Sequence, residues 1–252
     1  MDPAGPLTAP MRVLIDLVLP PRCPGCGVLV QGDLQFCGDC WSALRFITDP
    51  SCNSCGKPFS QGRDADLVCA ECLAHPPLHD GIKAAVLYDD LSRSIVLRLK
   101  HGGKIGLARL IARYLERHLP PDNDDVVLVP VPLHRWRLWR RGFNQSILIA
   151  RALAKKRGLP VETNVLRRIK ATPPLKGMTR KHRAQAVRGV FAIPPEQRSR
   201  IAGRHVLLVD DVYTTGATAH ACVRLLKKAG AARVTIFCWA RVLREGDEAD
   251  VP

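Results

Sequence analysis

Four Cys-x-x-Cys pairs fall within the first eighty residues: Cys23/Cys26, Cys37/Cys40, Cys52/Cys55 and Cys69/Cys72, separated by short loops rich in Gly, Pro, Asn and Asp. A tight turn of this kind can aim both thiolates at one metal. Two such turns close a tetrahedral shell of four sulfurs around zinc without a preformed apolar core. Two Zn²⁺ ions are therefore expected, one on Cys23, Cys26, Cys37 and Cys40 and the other on Cys52, Cys55, Cys69 and Cys72. An interleaved arrangement, in which the first and third pairs share a metal, satisfies the same spacing. A disulfide framework competes with both, although the lack of a secretion signal and the enzyme-like remainder of the chain favour a reducing compartment. A closed shell of four thiolates leaves no open coordination position, so these metals are structural. Cys222 and Cys238 lie outside the pattern and read as buried thiols. Ahead of the first pair, Val13, Leu14, Leu17 and Val18 recur at helical spacing until Pro20 and Pro21, which predicts a short docking helix.

The remainder of the 252 residues is long enough for one α/β core. The expected organisation is a helix and double ribbon over 1–80, a larger domain over 81–245 and a disordered tail over 246–252. An apolar fraction of 46% with 24% charged residues excludes wholesale disorder. The net charge of +15 is unevenly spread: residues 1–80 hold 5 bases and 9 acids, whereas 134–188 hold 16 bases with Glu162 as the only acid. Such a field attracts polyphosphates, nucleic acid or an anionic membrane surface and does not choose among them. No run approaches the roughly 20 apolar residues that span a bilayer, the best being 13–19, which Asp16 interrupts. No transmembrane segment and a cytoplasmic location are expected.

Ile82 to Tyr88 reads as a strand, followed by helices over Leu91–Lys100 and Lys104–Leu119 parted by Gly102 and Gly103. Val126 to Val131 is a continuous apolar run of the kind found in parallel sheets, and Gln145 to Arg157 a helix ended by Gly158. Val206 to Val209 repeats the buried-strand signature, Ala217 to Lys228 is a helix, and Val234 to Ala240 another strand. This alternation predicts a mainly parallel sheet covered on both faces, with ligands at the carboxyl ends of its strands.

At one such end, Val206-Leu207-Leu208-Val209-Asp210-Asp211-Val212-Tyr213-Thr214-Thr215-Gly216-Ala217-Thr218 sets two adjacent carboxylates before a small hydroxylic turn that opens a helix. Amides of such a turn converge on a phosphate, Gly216 permits close approach and the threonine hydroxyls add donors. Asp210 and Asp211 repel phosphate, so their partners are sugar hydroxyls and, directly or through water, Mg²⁺. Together these features describe a ribose 5-phosphate site. The plainer reading is a strand-turn-helix in which the aspartates cap the helix and the threonines satisfy amides.

The thirteen-residue run resembles the phosphoribosyl diphosphate (PRPP) motif of type I phosphoribosyltransferases. Further segments are similar to the ComF family of phosphoribosyltransferase-like proteins associated with DNA uptake in bacterial competence. They are Pro20-Pro21-Arg22-Cys23-Pro24-Gly25-Cys26, Leu99-Lys100-His101-Gly102-Gly103, Val129-Pro130-Val131-Pro132-Leu133-His134 and, most distinctive, Arg140-Arg141-Gly142-Phe143-Asn144-Gln145. The resemblance implies a type I phosphoribosyltransferase fold of class α/β, a mainly parallel sheet flanked by helices, with a small N-terminal double zinc ribbon. It implies PRPP bound with Mg²⁺ at Asp210, Asp211, Val212, Tyr213, Thr214, Thr215, Gly216, Ala217 and Thr218. It also implies a diphosphate loop on Leu133, His134 and Arg135, with Lys100 and Arg141 as further candidates on loops facing the same sheet edge; arginine suits forked contacts with phosphate oxygens. A loop over 171–183 is expected to close on PRPP and bring Arg180, Lys181 and Arg183 to the diphosphate. Leu175 and Ala186 depart from the Gln and Asn frequent in the family.

In an active site of this kind, Mg²⁺ and the bases stabilise departing diphosphate while Asp210 and Asp211, the residues assigned to catalysis, hold the ribose. No general base is assigned, and the acceptor of the phosphoribose is not legible. Two other readings use the same chain. One is a non-catalytic single-stranded DNA-binding protein, with Trp136, Trp139 and Phe143 as stacking aromatics in the basic stretch. The other is a scaffold that contacts other DNA-uptake proteins through the ribbons or the first helix.

Overall fold

The computed structural model describes residues 20–60, 67–172 and 179–243, without the side chains of residues 180, 181 and 184. The expected docking helix, residues 173–178 of the expected closing loop and the tail lie outside the described residues. The chain divides into two compact units, Met1–Leu44 and Arg45–Pro252. The division falls within the cysteine-rich stretch, so four of its thiols belong to each unit.

In the first unit, Arg22 and Leu29 form an antiparallel bridge around the first cysteine pair. Cys37 is the N-cap of helix α1 (Gly38–Ala43), which carries Cys40. The second unit begins by repeating this plan. Ser51 bridges Pro58 around Cys52 and Cys55, and Cys69 is the N-cap of α2 (Ala70–Ala74), which carries Cys72. Val28, Leu29, Trp41 and Leu73 stay exposed. Segments this short bury too little apolar surface to fold on that basis, so metal ligation has to supply the difference.

The rest of the second unit is built on a four-stranded parallel sheet of order β1-β6-β5-β2, with β1 Ile82–Leu87, β2 Val126–Pro130, β5 His205–Tyr213 and β6 Arg233–Arg241. Its strands are apolar on both faces because helices cover both. Val206 and Leu208 share a core cluster with Val234, Ile236 and the Cys222, Val223 and Leu226 of helix α8 (Ala217–Lys228). Strand alternation turns Leu207 and Val209 to the other face, where they are equally buried. Helices α4 (Leu107–Leu115) and α6 (Gln145–Arg157) pack on each other and on the strands. Trp239 of β6 is fully buried, and its indole donates to the carbonyl of Ser92 in α3 (Asp90–His101) at 3.1 Å. A two-stranded antiparallel pair, β3 (Arg167–Arg168) and β4 (Phe191–Ala192), and helix α7 (Arg180–Ala186) complete the set that frames the site.

Two departures from expectation matter. Strand β5 continues through the acids to Tyr213 because Asp210, Val212 and Tyr213 remain in register with Cys238, Ala240 and Arg241 of β6. The expected loop after Val131-Pro132 is present but short: Leu133 and His134 lie in it, and Arg135 already opens a helix, α5 (Arg135–Arg141). His134 caps it by accepting from the Trp136 amide, and Gly142, at φ 80°, ends it in the left-handed conformation that suits glycine. Arg141 thus closes a helix and Lys100 lies in the last turn of α3, so neither sits on the expected loop. Among the described residues no helix is long and apolar enough to cross a membrane.

Candidate functional site

Each group of four cysteines brings its sulfurs within 4.8 Å of one another. The Cys26 and Cys37 sulfurs are 3.5 Å apart and those of Cys55 and Cys69 3.8 Å. Thiolates held at the usual Zn–S length of about 2.3 Å stand roughly 3.8 Å apart on the edges of a tetrahedron, whereas a disulfide needs about 2.05 Å. The sets Cys23, Cys26, Cys37, Cys40 and Cys52, Cys55, Cys69, Cys72 therefore fit two structural zinc ions paired in sequence order, against the interleaved and disulfide alternatives. Amides of Gly25 and Cys37 donate to the Cys23 sulfur at 3.4 and 3.3 Å, and those of Cys55 and Cys69 to the Cys52 sulfur at 3.4 and 3.3 Å. Such bonds hold the ligands as thiolates aimed at the metal. The second site is tied to the sheet: the buried Arg241 guanidinium, at the end of β6, donates to the Cys55 carbonyl. A Cβ on Gly56 would sit 2.7 Å from the Ile82 carbonyl, so the ribbon backbone lies directly on the start of β1.

At the carboxyl end of β5 opens a cleft of about 1220 Å³. One wall is the stretch predicted to bind a sugar phosphate: Asp210, Val212, Tyr213, Thr214, Thr215, Gly216, Ala217 and Thr218 all line it. Tyr88, Asp90, Arg93 and Leu97 form part of the remaining wall. Helix α8 starts at this wall with Gly216 as N-cap, φ 77°, and no side chain accepts from its first amides. The capping alternative for the aspartates is thereby overturned. The Thr215 hydroxyl is buried without a hydrogen-bond partner. Arg183 reaches in from α7 and donates to the Thr214 hydroxyl at 3.3 Å. Behind the turn, Tyr213 and His220 share a hydrogen bond of 3.0 Å, and the His79 ring stacks on His220 at 5.7 Å.

The two acids do not share an environment. Asp210 lines the cleft, with one carboxylate oxygen accepting from the Asp211 amide at 2.9 Å and the Ser146 hydroxyl at 3.3 Å. Asp211 is only 5% exposed and is not among the lining residues. Its carboxylate pairs with the Lys100 ammonium and accepts from the Gln145 amide at 3.3 Å. Arg141 in turn donates to the Gln145 carbonyl oxygen at 2.7 Å. Burial, and then the neighbouring charge of Asp211, push the Asp210 carboxyl up to about 8. Burial opposes the charge on Asp211 as well, but the Lys100 ammonium outweighs it and holds that carboxyl below its ordinary range. Asp210 therefore holds a proton more tightly than Asp211. With Asp211 Oδ1 accepting from Gln145 and Oδ2, which accepts no hydrogen bond, held only by the Lys100 ion pair, a divalent ion at Asp211 would have to displace that ammonium or arrive with its own anionic ligands.

Lys100 and Arg141, from separate helices, therefore converge on one network. Leu133, His134 and Arg135 do not line the cleft: His134 spends its ring on capping α5 and Arg135 points to solvent. The side chains of Arg180 and Lys181 lie outside the described residues. Gln145 and Ser146, which hold the two acids from the first turn of α6, were given no role by sequence reasoning. The signal was the distinctive run ending at Asn144-Gln145, in which Asn144 caps α6 and ties it to the Val131 carbonyl at 3.0 Å.

The family model for the double zinc ribbon domain matches residues 14–73, and that for the phosphoribosyl transferase domain matches residues 149–250. The second match spans the Asp210-to-Thr218 wall and, with the parallel sheet, assigns the phosphoribosyltransferase fold. Among known proteins, the DNA utilization protein YhgH of Salmonella typhi is 30% identical over 238 residues, covering 90% of this chain and 100% of that protein. Competence protein F of Haemophilus influenzae is 27% identical over 230 residues, covering 87% and 90%. Competence protein ComFC of Bacillus subtilis is 28% identical over 223 residues, covering 84% and 87%. With two four-cysteine zinc sites, a parallel sheet ending in paired acids and a glycine turn, and relatives similar over nearly their full length, this chain belongs to the ComF family of double-zinc-ribbon, phosphoribosyltransferase-fold proteins.

Proposed function

We propose that the cleft binds PRPP and that the protein serves DNA uptake or utilisation, a reading supported by relatives named for competence and for DNA utilization. The observation that carries the reading is the uncapped start of α8 beside an unpartnered, buried Thr215 hydroxyl. Amides at a helix N-terminus with no internal acceptor, next to a hydroxyl that lacks one, suit the oxygens of a phosphate monoester. In this reading Thr214 to Thr218 hold the 5-phosphate, with Arg183 adding charge. Asp210, which faces the cleft and holds a proton more tightly than its neighbour, meets the ribose hydroxyls. Asp211 stays ionised beneath it and fixes the Lys100 and Arg141 side. Those cations are assigned to the diphosphate, and Mg²⁺ carried in on the diphosphate would neutralise part of its charge. A ligand so held has its anomeric carbon between the acids and the cationic bed, and departure of diphosphate is favoured there by electrostatics. Titration calorimetry with PRPP in magnesium buffer tests binding. Wild type should bind, Thr215→Val and Asp210→Ala should weaken binding by roughly tenfold or more, and equal affinities in all three would end the reading. Release of diphosphate with a panel of bases, amines and oligonucleotides as acceptors tests transfer.

A second reading is favoured by one specific observation. On α5, Trp136 and Trp139 stack at 5.2 Å and are 61% and 76% exposed, on a helix with Arg135, Arg137 and Arg140 and no acid. Exposed aromatics among arginines suit the bases and phosphates of single-stranded DNA. Salt-dependent oligonucleotide binding that survives Asp210→Asn but not Trp136→Ala with Trp139→Ala supports this reading; binding insensitive to the tryptophans removes it.

A further inference from the structure

We propose that Lys100 is the resident cation of the acid pair. Its ammonium occupies the place at Asp211 that a divalent metal would otherwise take, so the ligand-free site excludes metal, and removing this one charge turns Asp211 into a metal ligand.

The geometry sets a cation or a donor against each Asp211 oxygen, and Oδ2, which accepts no hydrogen bond, is held by the ion pair alone. Lys100 takes one carboxylate oxygen, Gln145 donates to the other at 3.3 Å, and Arg141 holds Gln145 in that orientation at 2.7 Å. Asp211 and Gln145 are 5% and 4% exposed, so neither can turn away to another partner without leaving a buried polar group unsatisfied. Lys100 sits in the last turn of α3 beside Leu99, which is wholly buried. Its backbone is anchored, and its side chain, 24% exposed, spans the gap to the acid. A small divalent ion needs carboxylate oxygens at about 2.0–2.1 Å and gives up its waters reluctantly. To take Asp211 it would have to displace an ammonium that is already in contact, and it would do so in a positive neighbourhood. Lys100, Arg140 and Arg141 all act on His101 and depress its protonation, behind the larger effect of burial. That field opposes a free metal ion and favours an anion, so a metal enters only when an anionic ligand has already neutralised it. Asp210 does not change this conclusion: its Oδ1 is engaged by the Ser146 hydroxyl and the Asp211 amide, and Oδ2 alone is too few ligands for a small divalent ion in this positive neighbourhood.

The inference deepens the sugar-phosphate reading of the same cleft, but its test uses metal alone and no PRPP, so either can fail without the other. The full-length, zinc-loaded protein is titrated with Mn²⁺ as the probe, free Mn²⁺ being read by electron paramagnetic resonance and zinc content checked throughout. Wild type and Lys100→Arg should show no Asp211-dependent site below about 1 mM. Lys100→Gln should create one Mn²⁺ site per chain, at least ~tenfold tighter than any wild-type binding, and Lys100→Gln with Asp211→Asn should lose it. The proposal is overturned if wild type binds Mn²⁺ in a manner abolished by Asp211→Asn, if Lys100→Gln binds no better than wild type, or if the double variant keeps the new site. Should Lys100→Gln fail to melt cooperatively, the wild-type arm decides alone: Asp211-dependent Mn²⁺ binding overturns the proposal and its absence supports it.

Discussion

Replacing Gly216 with alanine perturbs the turn at a single atom. The residue has φ 77°, and an added Cβ would lie 2.8 Å from the Tyr213 ring carbon Cζ and 3.0 Å from His220 Cε1. A left-handed conformation costs a non-glycine residue about 1–2 kcal/mol. The ring must also move, which breaks the 3.0 Å bond between Tyr213 and His220, and a bond of this kind contributes about 0.5–1.5 kcal/mol. The expected destabilisation is therefore roughly 2–3 kcal/mol, read from the urea midpoint at unchanged m-value. In a Tyr213→Ala background the clash with the phenol disappears, His220, freed of its Tyr213 bond, can yield its 3.0 Å contact, and Gly216→Ala should cost mainly the backbone part, about 1–2 kcal/mol. Phosphate recognition should suffer alongside, because the same residue opens α8: ribose 5-phosphate affinity by calorimetry should fall about tenfold or more. A wild-type urea midpoint for Gly216→Ala refutes the reasoning, and an equal cost in both backgrounds refutes its steric half.

Asp210 should cost stability at high pH. Its carboxyl is raised from 3.8 to about 8, so the native state keeps a proton that the unfolded chain releases; this contribution is complete below about pH 4 and lost as pH rises through about 8. Asp210→Asn should gain on wild type by roughly 4 kcal/mol between about pH 5 and pH 8 and no further above it, and a pH-independent difference would contradict the assignment. His118 runs the opposite way: burial first, then the Arg117 charge, lower it from 6.5 to about 4, and its ring accepts from Arg117 at 3.2 Å. Its contribution is complete above pH 6.5 and lost as pH falls through about 4, so His118→Gln should flatten the acid limb of the stability curve by up to ~3 kcal/mol; an unchanged limb counts against it. Two zinc ions per chain should be found by metal analysis, with Cys26→Ser or Cys69→Ser each removing one; loss of both from either variant would mean the sites are not independent. Arg241→Met should destabilise the second unit by about 1–3 kcal/mol by leaving the Cys55 carbonyl unpaired, measured by thermal melting, and a neutral result would mean that water replaces the guanidinium.

Much of the fold was legible because its signals are local. The run Val126 to Val131 and the four-residue core of β5 announce strands buried on both faces, and Gly102, Gly158 and Gly230 punctuate the helices near where they end. The α5 helix was not legible, because Arg135 to Arg141 has no apolar face directed at the core; it forms through its His134 cap and Gly142 stop, and its tryptophans remain outside. Gln145 and Ser146 escaped notice for a different reason. Their partners lie 66 and 64 residues away, and nothing in local spacing connects an amide on α6 with an acid on β5.

By itself the sequence determined the metal chemistry, the α/β class and the presence of two acids before a glycine turn, since each depends on residues close together in the chain whose spacing sets their geometry. Only the tertiary structure decided that the two acids differ. Adjacent positions on a strand face opposite sides, so Asp210 enters the cleft while Asp211 is carried to α3 and α6, where Lys100, Gln145 and Arg141 assemble around it. The charge state of the pair follows from which helices pack on which face of the sheet, and that is a property of the folded core rather than of any motif.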